Sequence, residues 1–152
     1  NKLDSLLDKV MVKDPLAARP FLIKGLRIWQ RLRGEYHPET AALWHNLGYS
    51  FKVSGNLDEA LESYELACII WRSSLPPNHP CHAACSNNLG ALHKEMGKPA
   101  RSLQYYQQAL ALWQREPRRY RDEIAIAQSN LGALLRQTGN WAAAWPYLEQ
   151  AL

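Results

Sequence analysis

The sequence predicts an all-α fold of antiparallel helical hairpins, on three observations. The tripeptide Asn-Leu-Gly occurs at 46–48, 88–90 and 130–132, a spacing of 42 residues both times. Gly55, Gly97 and Gly139 keep that period, as do Trp29, Trp71 and Trp113. Between these markers apolar residues recur at helical spacing, and no segment alternates as a strand bounded by hairpin turns would.

One unit justifies the others. From residue 38 onward, Ala41, Leu43, Trp44, Leu47, Gly48 and Phe51 line one helix. Ser54-Gly55-Asn56 breaks it, with Gly55 supplying the permissive turn and Asn56 the N-cap of the next helix. Leu57, Ala60, Leu61, Tyr64, Ala67, Cys68 and Trp71 make the second run, which Pro76-Pro77 ends because proline cannot continue a helix interior. Applied along the chain, this predicts helices at roughly 2–13, 15–33, 38–54, 57–73, 80–96, 99–115, 121–138 and 141–152. Gly48, Gly90 and Gly132 fall mid-helix, where glycine costs about 1 kcal/mol relative to alanine. Their repetition implies a neighbouring helix passing too close for a side chain, with Ala60, Ser102 and Ala144 as the small partners.

Composition agrees. Of 152 residues 47% are hydrophobic and 21% charged, enough for a packed core and against disorder. No run of about 18 apolar residues is present to span a bilayer, and Asp4, Asp8 and Lys9 interrupt any signal-peptide core. Three cysteines, Cys68, Cys81 and Cys85, cannot all pair within the chain, which points to a reducing, cytoplasmic setting. The net charge of +4 favours acidic partners and is too small to imply nucleic acid.

Trp44, Leu47, Gly48, Phe51, Ala60, Tyr64 and Ala67 resemble the tetratricopeptide signature in order and spacing. The 42-residue unit, with its His37-Pro38 and His79-Pro80 leaders and Asn-Leu-Gly core, is similar to the kinesin-light-chain-like subgroup. The resemblance implies a right-handed solenoid, a single array over 1–152 with approximate repeats 1–36, 37–78, 79–120 and 121–152, the last truncated. It also implies a protein-binding scaffold rather than an enzyme. There are departures. Trp44 has Ser86 and Gln128 as equivalents, and Phe51 has His93 and Leu135. Pro20 and Pro146 share one repeat position and are expected to kink their helices or delay their starts. The last helix stops about a turn early and no polar capping helix follows, so the chain is expected to be part of a longer protein or to self-associate.

The resemblance also implies that the first helix of each hairpin lines a concave groove, through Ala42, His45, Asn46, Tyr49, Lys52 and Val53 and their equivalents. Two ladders result. Asn46, Asn88 and Asn130 carry donors and acceptors that can satisfy the backbone of an extended peptide; the competing reading is a bond to a neighbouring helix. Lys52, Lys94 and Arg136 offer charge-assisted bonds to carboxylates, although each also lies in a last helical turn, where the dipole favours a cation in any case. Asn87 lines the same face, Tyr49 and His45 supply an aromatic anchor, and Ala42, Ala84, Ala91 and Ala133 leave room.

Other constellations carry less. Trp29, Trp71 and Trp113 are expected in the core, and Trp141 and Trp145 partly exposed. His79, Cys81, His82 and Cys85 have zinc-like chemistry, but Cys85 matches the apolar Leu43 and Ala127, so no metal is expected. The Arg115–Arg121 run reads as a solvated loop. No phosphate loop, HExxH or GxSxG motif is present, so neither catalysis nor a cofactor is expected. The leading expectation is a scaffold for an extended acidic peptide. The alternative is a self-assembly or regulatory domain that binds its own chain or another copy.

Overall fold

Ser54, Gly55 and Asn56 close a helix and open the next through a pair of nested bonds. The Asn56 amide donates to the Phe51 carbonyl (3.0 Å) and the Gly55 amide to the Lys52 carbonyl (3.0 Å). This is the Schellman arrangement, which needs a residue at positive φ, and Gly55 supplies it at 78°. The same two bonds recur at Gly97 and Gly139: Lys98 to His93 at 2.8 Å and Asn140 to Leu135 at 2.9 Å, each with its inner partner at 3.1 Å.

The computed structural model describes residues 14–150, which form seven helices and no strand. They are α1 (Pro15–Arg33), α2 (Pro38–Val53), α3 (Leu57–Ser74), α4 (Pro80–Glu95), α5 (Pro99–Trp113), α6 (Arg121–Gln137) and α7 (Trp141–Gln150). The helix expected over 2–13 lies outside the described residues. The predicted starts at 15, 38, 57, 80, 99, 121 and 141 are all met, and the predicted ends of α1 to α6 differ by at most two residues; the last, at 152, lies outside the described residues. Contacts divide the chain at Pro76–Pro77 into two compact units, α1–α3 in the first and α4–α7 in the second.

Helix starts follow local chemistry. Asp14 caps α1, its carboxylate accepting from the Leu16 and Ala17 amides at 3.0 Å each, with Pro15 at the first helical position. The His-Pro leaders work the same way: Nδ1 of His37 accepts from the Glu39 amide (3.2 Å) and Nδ1 of His79 from the Cys81 amide (3.3 Å). Asn56 sits at the N-cap of α3, its carbonyl accepting from the Ala60 amide (3.0 Å), but its side chain does not cap the helix; Oδ1 accepts from the Ser54 hydroxyl instead (3.1 Å). Asn140 does cap α7, accepting from the Ala143 amide at 3.2 Å. Neither Pro20 nor Pro146 delays its helix: α1 begins at Pro15 and α7 at Trp141, with each proline inside.

In the first unit α1 buries Ala18, Leu22 and Leu26 against Leu43 and Leu47 of α2, with Trp29, Trp44 and Phe51 at the margin. In the second, Tyr106, Ala109, Leu110 and Trp113 of α5 pack with Ala83 of α4 and with Ala127, Leu131 and Leu134 of α6. Trp71 and Trp113 are buried as expected, and Trp71 also donates Nε1–H to the Pro38 carbonyl (3.2 Å). Trp141 and Trp145 are 64% and 68% exposed.

The mid-helix glycines do meet the second helix closely, and the atoms nearest a Cβ there belong to the residue one turn beyond the expected small partner. A Cβ on Gly48 would lie 2.8 Å from the Tyr64 ring, one on Gly90 2.8 Å from the Tyr106 ring, and one on Gly132 2.5 Å from the Leu148 side chain. Ala60, Ser102 and Ala144 lie one helical turn earlier and are fully buried. Ser102 also donates its hydroxyl to the Gly90 carbonyl (2.7 Å).

Candidate functional site

Each first-type helix, α2, α4 and α6, turns its mid-helix glycine onto the second helix of its hairpin. The residues at i, i+4, i+7 and i+11 then form an adjoining accessible stripe. On α2 this is Ala42, Asn46, Tyr49 and Val53; on α4 it is Ala84, Asn88, Ala91 and Glu95; on α6 it is Ile126, Asn130, Ala133 and Gln137. All twelve residues are half-buried or exposed. A parallel stripe carries the cations. Lys52 and Lys94 are half-buried and Arg136 exposed, each in the last turn of its helix.

Three sequence-derived positions behave differently across the repeats. His45 is packed rather than presented: its ring lies 5.3 Å from that of Tyr64 and 5.2 Å from that of Trp71, tilted against both. Burial pushes its pKa down to about 4, against an opposing hydrogen bond from the Asn46 side chain. The imidazole is therefore neutral at pH 7 and belongs to the hairpin interior, and Asn46 is in part committed to it. At the equivalent position Asn87 holds a buried Oδ1 with no hydrogen-bond partner among the described residues. Tyr49, 42% exposed, remains the accessible aromatic on α2. Asn88 and Lys52 both have partners within the chain.

The sequence reading passed over His93. It occupies the slot of Phe51 and Leu135, is fully buried, and stacks on Tyr105 at 5.3 Å and 9°. Neither ring nitrogen has a hydrogen-bond partner among the described residues. Burial first, then the charges of Arg101 and Lys98, lowers its pKa. Its apolar equivalents were the available signal.

The cysteines depart from expectation. Cys68 and Cys85 are both disulfide-bonded, and Cys81 carries the free thiol, its pKa raised by burial. As the odd count requires, one cysteine, Cys81, is left over. His79 spends Nδ1 on its cap and Cys85 is not a thiol, so the zinc-like run lacks the free ligands a site needs. Among the described residues no three His, Cys, Asp or Glu side chains are grouped to hold a metal, and no helix is long and apolar enough to cross a membrane.

With this geometry in hand, the chain can be compared with known proteins. The tetratricopeptide repeat profile matches residues 10–68, 42–115 and 84–152. Among curated proteins none matches the sequence. Among solved structures, BtubC (BKLC) from P. vanneervenii superposes with a TM-score of 0.82 at 24% identity, over 88% of this chain and 54% of BtubC. This chain thus spans about half of that relative. A kinesin-light-chain-like protein of Podosopora anserina with nearly identical TPR-like repeats gives 0.83 at 21%, over 97% of this chain and 70% of that one. MamA gives 0.61 at 15%, over 95% and 82%. At these identities the likeness establishes the helical repeat fold.

Proposed function

The chain belongs to the tetratricopeptide repeat family, and from that premise we propose that it is a binding scaffold, not an enzyme, whose first-type helices hold an extended acidic peptide. Protein–protein interaction is the general work of the family; the acidic character of the partner is our own reading. It is carried by one observation. An amide and a cation recur at the same two register positions of each first-type helix: Asn46 and Lys52 on α2, Asn88 and Lys94 on α4, Asn130 and Arg136 on α6. A side-chain amide can donate to and accept from a peptide backbone without reading its side chains. A cation beside it adds a charge-assisted bond to a carboxylate, stronger than a neutral one. The packed position of His45 removes it from this set, and Tyr49 stays as the aromatic contact.

The test is a titration with a fluorescein-labelled, Asp/Glu-rich twelve-residue peptide at low and moderate salt. Lys94→Glu should weaken binding by about 1–3 kcal/mol at low salt and leave the fold intact. Equal affinities for parent and variant at low salt would sink the cationic part. Growth of mass with concentration in light scattering, with no peptide added, would instead favour self-assembly, a reading supported by the exposed Trp141 and Trp145.

A further inference from the structure

The first unit carries two exposed helix faces of opposite design. On the side of α1 opposite its buried Ala18, Leu22 and Leu26, the stripe begins with Leu16, Pro20 and Ile23 and continues with Lys24, Arg27 and Arg31, all exposed. On α3 the same register, 42 residues on, runs the other way. Asp58, Glu62 and Glu65 come first, Leu66 and Ile69 follow, and all are exposed. Lys24, Arg27, Arg31, Asp58, Glu62 and Glu65 have no ion-pair partner among the described residues.

The fold does not require either pattern. In α5 the same register holds Ala100, Gln104, Gln107, Gln108 and Ala111. Helix dipoles favour a cation in a last turn and an acid in a first turn. That covers Arg31 and Asp58 but not Lys24, Arg27, Glu62 or Glu65, which lie further in. Nor do the outward cations hold the unit together. Arg19 does that, turned inward and donating to the Ser50 hydroxyl (3.1 Å), the Ser50 carbonyl (2.8 Å) and the Ser54 hydroxyl (2.7 Å). Its guanidinium lies over the Phe51 ring, 4.4 Å from the centroid.

We propose that these faces bind a second copy of the chain, with α3 of one copy lying antiparallel along α1 of the other. Direction selects the occupant. Run antiparallel, Lys24, Arg27 and Arg31 lie along Asp58, Glu62 and Glu65, while Leu16 and Ile23 lie along Leu66 and Ile69. Run parallel, the cations face aliphatic side chains and so do the acids, and both lose water without a partner. Within one copy only the parallel direction exists. The chain reverses at 34–37 and again at 54–56, so α1 and α3 point the same way. The antiparallel match therefore needs another molecule, and the fitting stripe is present in the same sequence. The charges set partner and direction, and the aliphatic side chains add affinity as they leave water together. The contact joins two different surfaces and is heterologous. It uses none of the amide or cation positions of the first-type helices, so the peptide reading does not depend on it.

The experiment is light scattering of the whole chain over a concentration series at low and moderate salt. Mean mass should rise with concentration, and less steeply at moderate salt. Arg27→Glu and Glu62→Arg, both at exposed positions, should each weaken association at least about tenfold, with helical content by circular dichroism unchanged. The two substitutions in one chain restore opposite charges across the contact and should recover the association of the parent. A parent that stays monomeric overturns the proposal. So does association unmoved by Arg27→Glu, which belongs to another surface such as Trp141 and Trp145, and so does a double variant no better than either single. Growth of mass abolished by Arg27→Glu, with affinity for the acidic peptide kept, supports the contact and leaves the groove reading standing.

Discussion

The first unit is stitched with polar groups where the second is greased. On a common backbone with identical turns, the first sets a buried histidine against Tyr64 and Trp71 and ties α1 to α2 with Arg19. The second puts Asn87 at the histidine position and Leu103 at that of Arg19. The difference teaches that this repeat fixes only a few contacts, the glycine–ring contact and the turn, and leaves the rest to alternative chemistries of similar volume.

Breaking what is common should cost most and equally. Gly48→Leu and Gly90→Leu each force a side chain into a tyrosine ring, and each should lose about 3 kcal/mol in urea denaturation. Gly132→Leu meets the flexible end of Leu148 and should lose about 1 kcal/mol. Equal losses at all three would show that ring rigidity is not what matters.

Acid should separate the units next. The folded pKa of His45, about 4, lies below the 6.5 of an ordinary imidazole, so the unfolded chain takes up the proton first. Its contribution is fully present above about pH 6.5 and lost as pH falls towards 4, by about 2–3 kcal/mol. His45→Asn, which copies Asn87, should flatten that slope in a pH series of denaturation curves. His93, also lowered, leaves a residual slope that His93→Phe removes. A slope unaltered by His45→Asn would place the acid sensitivity elsewhere.

The Arg19 position provides the smallest test. Arg19→Ala removes three hydrogen bonds to Ser50 and Ser54 and the stacking on Phe51, and should cost about 2 kcal/mol. Its counterpart Leu103→Ala only widens an existing space between α5 and α6 and should cost about 1 kcal/mol. The order is read from urea midpoints, and a larger loss for Leu103→Ala would reverse the comparison at this position.

The sequence carried the hairpins well, because a 42-residue period in Gly, Trp and Leu constrains backbone and core together. It carried side-chain partners less well. Ala60 and Tyr64 lie one turn apart on the same face of α3, so periodicity admits both near Gly48, and it did not show that the Tyr64 ring comes nearest. His45 was read as accessible because its neighbours on the helix are, but the Tyr64 and Trp71 rings that claim it come from the other helix of the hairpin. The His-Pro leader was visible as a motif, while its capping bond depends on a ring nitrogen aimed back at the chain. Cysteine state was not legible, because pairing depends on where two distant thiols fall in space.

The turn at Gly55 has a consequence for how such a chain grows. Its hydrogen bonds and positive φ are reproduced at Gly97 and Gly139. A recombination event that joins the residue after one of these glycines to the sequence following another therefore leaves an intact junction. A whole repeat gained or lost at these glycines would need no new loop.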